Sequence, residues 1–95
     1  MTLEERHPAA GRLHQATPGA VIGREQCEVL LTDPGVSRQH ARFCEIDGHL
    51  ALEDLGSKNG TYVNDERITG SVAIRPGDTL RLGNTVLIVK GTAAT

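Results

Sequence analysis

Aromatic residues are scarce in this sequence, which contains no tryptophan, one tyrosine and one phenylalanine. Stacking on aromatic rings is a common way of holding single-stranded nucleic acid, and here only Phe43 and Tyr62 offer a ring. A basic surplus is also lacking, since ten Lys and Arg residues face twelve Asp and Glu residues and the formal net charge is −2. We therefore expect neither a nucleic-acid interface nor attraction to an anionic membrane, and any anion site must be local.

Long hydrophobic runs are absent as well. The longest aliphatic run is residues 86–89, whereas a helix that spans a bilayer needs about 20 apolar residues. Residues 1–6 contain no apolar stretch and begin acidic, which is not typical of a signal peptide. At 95 residues the chain has room for one domain. These features predict a folded cytoplasmic module without a membrane partner.

Cysteine is rare, with two residues, Cys27 and Cys44. They can form at most one disulfide, and their spacing matches neither a paired zinc motif nor a CxxC redox site. We interpret both as small buried hydrophobic residues. The sequence predicts no metal site and no cofactor.

Helical periodicity is missing too. No window of eleven or more residues repeats apolar side chains at i, i+3, i+4 and i+7, and glycines interrupt every candidate helix. Short β-type runs alternate instead with turn residues. We predict strands at residues 12–15, 20–23, 29–31, 41–46, 50–53, 61–63, 72–74, 79–82 and 85–90. Asp47-Gly48 between two runs is a hairpin signal, and the whole pattern predicts an all-β sandwich.

The two ends of the chain are polar or small and lack the alternation of the middle. We expect flexible segments at residues 1–10 and 92–95, with the domain itself at residues 11–91. A sandwich places its loops at two ends, and loops on a rigid scaffold commonly carry the binding residues. The candidate functional residues are therefore expected in the turns.

Three loop segments combine glycine with polar or basic residues. The first is Gly23-Arg24, the second runs from Ser37 to His40, and the third is residues 54–61, with the sequence Asp-Leu-Gly-Ser-Lys-Asn-Gly-Thr. The first two offer guanidinium groups and a hydroxyl, and the third offers a Lys and the backbone N–H groups of a glycine-rich loop. Together they are typical of an oxyanion receptor.

The order of these motifs resembles that of the forkhead-associated (FHA) family, which has Gly-Arg, Ser-x-x-His, and Asp-x-x-Ser-x-Asn-Gly-Thr followed by Val-Asn. The matching residues here are Gly23, Arg24, Ser37, His40, Asp54, Ser57, Asn59, Gly60, Thr61, Val63 and Asn64. The resemblance covers residues 11–91, including a Pro-Gly-Asp turn at residues 76–78. It implies a two-sheet β-sandwich of about eleven short strands with binding loops for phosphothreonine peptides at one end.

The resemblance also implies a role for each residue. Ligand contacts are expected from Arg24, Ser37, Arg38, Ser57, Lys58 and Asn59, and structural support of the site from Gly23, His40, Asp54, Gly60, Thr61 and Asn64. Many relatives have Thr or Arg where this chain has Lys58, which offers charge but no hydroxyl. Phosphothreonine carries nearly two negative charges and three acceptor oxygens, so several donors must converge on it. The implied partner is a phosphothreonine protein, the substrate of a Ser/Thr kinase.

Other functions compete with this interpretation. Ser37, His40 and Asp54 are the residue types of a hydrolase triad, but Ser37 lies in no Gly-x-Ser-x-Gly elbow and the chain leaves little scaffold for a cleft. We therefore predict that the domain is not an enzyme. The remaining alternative is a phospho-independent interaction domain of the same fold that uses another surface.

Two further expectations concern the ligand. In the family, the loop that precedes the serine influences ligand choice. Residues 32–36 contain no basic side chain, so we do not predict selection there for an acidic ligand residue. A phosphorylated threonine on the chain's own ends, Thr2 or Thr92, is a candidate for self-binding.

Overall fold

Eleven short strands form two sheets in the computed structural model, which describes residues 1–91. The strands are β1 Thr2–His7, β2 Leu13–Gln15, β3 Val21–Gly23, β4 Val29–Leu30, β5 Ala41–Ile46, β6 His49–Asp54, β7 Thr61–Val63, β8 Glu66–Arg67, β9 Ser71–Ala73, β10 Thr79–Leu82 and β11 Thr85–Gly91. The six-stranded sheet has the order β2-β1-β11-β10-β7-β8, and the five-stranded sheet has the order β4-β3-β5-β6-β9. Nearly all pairs are antiparallel, and β3 with β4 is parallel.

The strands form where side chains alternate between the interior and the solvent. In β10, Leu80 and Leu82 are fully buried while Thr79 and Arg81 are partly exposed, and β7 and β11 show the same alternation. The inward residues of the two sheets meet in one core, of which Phe43, Leu3, Ile22, Leu52, Leu80, Leu82 and Leu87 are the largest members. The core fixes the register of each strand, because a slip of one residue would turn its apolar side chains outward.

The Asp47-Gly48 hairpin is confirmed. Ile46 pairs with His49 across the turn, and Asp47 and Gly48 have φ values of 50° and 79°. Positive φ at both central residues is the geometry that a two-residue hairpin of this twist requires. The pair therefore sets the register of β5 and β6. The first residue of β5, Ala41, and the last residue of β6, Asp54, flank the candidate site at the other end of the hairpin.

The predicted all-β sandwich is confirmed, and all nine predicted runs contain strands. Two strands were not predicted, β1 and β8. The N-terminal segment differs from the expectation of a flexible end, because Thr2–His7 pairs with both β11 and β2, and Leu3 is fully buried. Three consecutive charged residues, Glu4, Glu5 and Arg6, hide this strand in the sequence. Residues 92–95, also expected to be flexible, lie outside the described residues.

The strands place the loops of interest together at one end of the sandwich, here named the loop end. It contains the last residues of β3, β6 and β10 and the first residues of β5, β7 and β11. The opposite end contains the Asp47-Gly48 turn, the start of β1 and the end of β11, where Thr2 pairs with Gly91. No helix suited by length and apolarity to crossing a bilayer occurs in residues 1–91.

Candidate functional site

Three loops meet at the loop end: loop 1 at residues 24–28, loop 2 at residues 31–40 and loop 3 at residues 55–60. Backbone bonds join the first two, since the Arg24 amide lies 3.0 Å from the Arg38 carbonyl oxygen and the Glu25 amide 3.2 Å from it. The Leu55 amide donates to the His40 carbonyl at 3.0 Å and so joins loop 3 to loop 2. The three motifs found in the sequence therefore form one continuous surface.

Gly23 is required by the close approach of loop 2. A Cβ atom at this position would collide with the Arg38 carbonyl oxygen and would lie 2.8 Å from the carbonyl carbon. The absence of a side chain lets the Arg38 backbone lie directly on the end of β3. Gly23 therefore allows loop 2 to pack on β3.

His40 is fully buried between loops 2 and 3. Its Nδ1 accepts a hydrogen bond from the Ser37 amide at 2.9 Å, so the neutral ring carries its proton on Nε2, which donates to the Gly60 carbonyl at 2.9 Å. The ring thus fixes the backbone of Ser37 against that of Gly60. These two bonds brace loop 2 against loop 3.

Asp54 organises loop 3. Its Oδ1 accepts the Ser57 hydroxyl at 2.5 Å and the Thr61 hydroxyl at 2.7 Å, and its Oδ2 accepts the Gly56 and Ser57 amides at 3.0 and 3.1 Å. Burial raises the pKa of this carboxyl, but the hydrogen bonds from Ser57, Thr61 and Gly56 outweigh it and hold the pKa below its ordinary value. Asp54 is therefore held in its ionised form, and its carboxylate fixes the conformation of loop 3.

Asp33 is a second structural carboxylate, and the sequence assigned it no role beyond a turn. Its Oδ1 accepts the Gly35 amide at 2.8 Å, and its Oδ2 accepts the Asn84 amide at 2.6 Å and the Thr85 hydroxyl at 3.0 Å. Burial raises its pKa, while these bonds lower it to a net value below normal. The Asp-Pro-Gly sequence signals the turn, but nothing local announces a bond across 51 residues.

Several of the groups that face solvent between the loops are donors. Arg24 is anchored by its Nε, which donates to the Val36 carbonyl at 2.6 Å, so its two terminal nitrogens remain for a ligand. The Ser37 hydroxyl accepts the Lys58 amide at 3.2 Å and keeps its own hydrogen to donate. Arg38 is exposed and lies 3.6 Å from Glu25. Three cationic side chains and a hydroxyl thus share one end of the fold.

Three further residues that were predicted for the site form hydrogen bonds within the chain. Asn59 Nδ2 donates to the Gly35 carbonyl at 2.7 Å, which ties loop 3 to loop 2. Ser57 is almost buried, with 9% of its surface exposed, and its hydroxyl donates to Asp54, so it shapes the loop instead of facing a ligand as predicted. Asn64 lies past the far end of β7 and binds Asp78 and the Thr79 amide, so it supports the β7–β10 pairing and not the loop end.

The arrangement is not that of a catalytic triad. His40 contacts the backbone amide of Ser37 and not its hydroxyl, and the Asp54 carboxylate is bonded to Ser57 and Thr61. The two cysteines are free thiols, each half-buried. In the part of the chain that the structure describes, no group of three or more His, Cys, Asp or Glu side chains is placed to hold a metal ion.

Comparison with curated proteins finds relatives that align with most of this chain. The chain is 38% identical over 90 residues to the oxoglutarate dehydrogenase inhibitor of Corynebacterium diphtheriae, an alignment that covers 93% of this chain and 62% of that protein. The chain spans less than two thirds of the length of the first curated relatives that it matches.

Solved structures share the fold. One, from a study of phosphothreonine-dependent FHA domain interactions, has a TM-score of 0.84 and 35% identity, with 96% of this chain and 95% of that chain covered. Another, Mycobacterium tuberculosis EmbR in complex with a low-affinity phosphopeptide, has a TM-score of 0.81 and 30% identity over 96% of this chain and 25% of that chain. The FHA domain family profile matches residues 20–83, which include all three loops. With its motifs, its eleven-stranded sandwich and its relatives in agreement, the chain belongs to the FHA domain family.

Proposed function

We propose that the loop end binds phosphothreonine peptides of partner proteins in Ser/Thr kinase signalling and that the domain acts by binding alone. The observation that carries this proposal is the meeting of Arg24, Ser37 and Lys58 from three separate loops. Each is held by a hydrogen bond: Arg24 Nε donates to the Val36 carbonyl, and the Lys58 amide donates to the Ser37 hydroxyl. The similarity to EmbR in complex with a phosphopeptide, and to the structure from the study of phosphothreonine-dependent FHA domain interactions, supports it.

The chemistry of the site fits a dianion better than a carboxylate. A phosphate presents three acceptor oxygens, and donors reach the loop end from the Ser37 hydroxyl and from the cations of Arg24, Arg38 and Lys58. Hydrogen bonds to charged groups contribute about 1.5–3 kcal/mol each. Three or four of them, less the cost of ordering a peptide, correspond to a dissociation constant of about 1 μM.

A calorimetric titration tests the proposal. An oriented phosphothreonine peptide pool is expected to bind with a micromolar Kd, and the unphosphorylated and phosphoserine pools are expected to bind much more weakly. Binding is also expected to weaken below about pH 6, where the phosphate regains its second proton. If no pool binds, the site is not a phosphate receptor, and the phospho-independent alternative on another surface takes its place.

Substitution of Ser37 makes the test specific to the site. Ser37→Ala removes the free hydroxyl donor and the acceptor of the Lys58 amide, so we expect at least a tenfold loss of affinity from two broken bonds. Ser71→Ala is the matched control, since Ser71 is exposed on the edge strand β9 and lies outside the three loops. Equal affinity of the two variants would remove Ser37 from the site.

A further inference from the structure

A row of side chains crosses the outer face of the six-stranded sheet next to the loop end. Arg67 on β8 lies opposite Tyr62 on β7, and Tyr62 lies opposite Arg81 on β10. Residues directly opposite each other in an antiparallel pair point to the same face. Because Thr61 and Val63 are buried, that face is the outer one. We name Arg67, Tyr62 and Arg81 the outer row.

Arg67 connects the outer row to loop 3. A Cβ atom on Gly60 would lie 2.8 Å from Arg67 Nε and 3.1 Å from Cζ, so the guanidinium group rests directly against this glycine. Gly60 is buried for the same reason, although its neighbours Lys58 and Asn59 are exposed. The cation of Arg67 therefore stands at the edge of the phosphopeptide site, one residue from Asn59.

Arg81 is held in place by stacking. Its Cζ lies 4.0 Å from the centroid of the Tyr62 ring, which is a cation–π distance. A guanidinium that is stacked on one face still has its N–H groups directed outward in its own plane. The outer row thus presents two ordered guanidinium groups, one over a glycine and one over a ring.

These two cations lack acidic partners within residues 1–91. Elsewhere on the same sheet, Arg6 and Lys90 both pair with Glu4, whereas neither Arg67 nor Arg81 lies within 4.0 Å of a described carboxylate. Glu66, the acid next to Arg67 in sequence, lies opposite the buried Val63 and so on the other face of β8. The positive charge of the outer row is therefore available to a ligand.

We propose that the outer row binds an acidic segment of the same partner polypeptide that carries the phosphothreonine. This inference rests on the proposed function, because the row is continuous with loop 3 through Arg67 and Gly60. Neighbouring strands lie about 4.8 Å apart, so β8 to β10 spans about 10 Å, or about three residues of extended peptide. The acidic segment therefore covers about three residues and lies beside the part of the partner that loop 3 holds.

The test uses phosphothreonine peptides with one common core. One carries four Glu residues after a three-residue spacer on the C-terminal side, one carries them on the N-terminal side, and two controls have Gln in place of Glu. We expect one of the acidic peptides to bind the wild-type domain about fivefold more tightly than its Gln control, as two exposed ion pairs allow. The gain is expected to fall towards zero at 0.5 M salt.

Variants locate the gain. Arg67→Gln with Arg81→Gln is expected to abolish it, and Arg81→Gln alone, which leaves the contact on Gly60 intact, is expected to reduce it by about half. The matched control is Arg42→Gln with Arg75→Gln, which makes the same charge change on the five-stranded sheet and at the turn after β9. This control is expected to keep the full gain.

The Gln peptides separate the two proposals. If they fail to bind the wild-type domain, the proposed function itself fails. If they bind and neither acidic peptide binds more tightly, or if the gain survives in the Arg81→Gln and double variants, the inference about the outer row is overturned while the phosphopeptide site stands.

Discussion

At the scale of the residue, Arg38 stands out because an acid accompanies it inside the site. Its side chain is 76% exposed, and its Nε lies 3.6 Å from Oε2 of Glu25, itself 57% exposed. Pairs this open to solvent contribute little to folding. Their effect on a ligand is larger, since a phosphate must share Arg38 with a carboxylate and also meets that carboxylate's negative charge.

Glu25→Gln should therefore improve the site. We expect the Kd for a phosphothreonine peptide to fall about two- to threefold at low salt, because one exposed pair of this kind has a modest energy. The melting temperature should not change. Calorimetry on the variant measures both binding and stability, with Glu45→Gln on β5 as the matched control. A weaker or unchanged affinity would show that Glu25 does not compete for Arg38.

The two serines of the motif show how far residue types could predict the site. Both lie in loops, and the sequence assigned both to the ligand. The Ser37 oxygen accepts a hydrogen bond from the Lys58 amide, so its hydroxyl hydrogen stays free to donate. The Ser57 hydroxyl instead donates its hydrogen to Asp54. The residue types and spacing predict that a site exists. The direction of each hydrogen bond depends on which acceptor the tertiary fold brings near the serine. The residues adjacent in sequence do not determine that acceptor.

At the scale of the element, the loops are held by two carboxylates, one at the end of a strand and one within loop 2. Asp54, the last residue of β6, gathers loop 3, and Asp33 joins loop 2 to the turn between β10 and β11. Gly83, in that turn, would bring a Cβ atom within 2.7 Å of the Gly35 carbonyl carbon. Loop 2 thus packs on the turn with no room between the two backbones.

Stability should depend on these two carboxylates at acid pH. The folded-state pKa of Asp33 and of Asp54 lies below the ordinary value of 3.8, so each stabilises the fold above that value and loses its effect as the pH falls through the folded-state pKa. We expect the free energy of unfolding to fall below about pH 4. Urea unfolding between pH 2.5 and 7 measures it.

The variants Asp33→Asn and Asp54→Asn should each flatten that acid limb and lower stability at pH 7 by about 1–3 kcal/mol, since the lost bonds involve a charged acceptor. Asp65→Asn, in the exposed turn after β7, is the control and should retain the wild-type profile. Acid limbs of equal slope in all four proteins would contradict the role assigned to the two carboxylates.

Gly23 provides a second prediction for the elements. Gly23→Ala should separate β3 from loop 2 and cost about 1–3 kcal/mol by overpacking, with at least a tenfold loss of phosphopeptide affinity because Arg24 and Ser37 move apart. Gly48→Ala is the control: it has φ +79° and open space around it, so it should cost about 1 kcal/mol from backbone strain and leave binding unchanged. Thermal unfolding and calorimetry separate the two effects. Full binding by Gly23→Ala would contradict the clash.

The elements themselves were largely predictable, because short alternating runs between turn residues specify strands and Asp47-Gly48 specifies a hairpin. The exceptions have physical reasons. β8 has two residues, Glu66 and Arg67, both exposed, so its pattern carries no apolar signal. The inward positions of β1 are Leu3 and Glu5. Glu5 is buried, and its carboxylate forms a 2.9 Å hydrogen bond with His14. A buried acid in a strand looks like a solvent-exposed end in the sequence.

At the scale of the whole molecule, β1 completes the fold. It fills the space between β2 and β11, and Leu3 joins the core shared by both sheets. Thr2 accepts a hydrogen bond from Gln15 within this sheet, so it is not on a free tail, as self-binding through Thr2 would require. Thr92, the other self-binding candidate, lies outside the described residues.

Leu3→Ala should destabilise the domain by about 2–5 kcal/mol, the cost of removing a large apolar side chain from a close-packed core. Leu13→Ala is the matched control, because Leu13 on β2 is 63% exposed, and its effect should stay within about 0.5 kcal/mol. Urea unfolding at neutral pH measures both. Equal effects would mean that the N-terminal strand is not part of the core.

The pairing of Thr2 with Gly91 also decides how the domain responds to tension. Because β1 and β11 are antiparallel and these two residues lie side by side, a force that separates them acts across the ladder and opens its hydrogen bonds one after another. β1 would separate from β11 residue by residue, from Thr2 towards His7. The phosphopeptide loops, at the other end of β11, would bear no load until β1 had left the sheet.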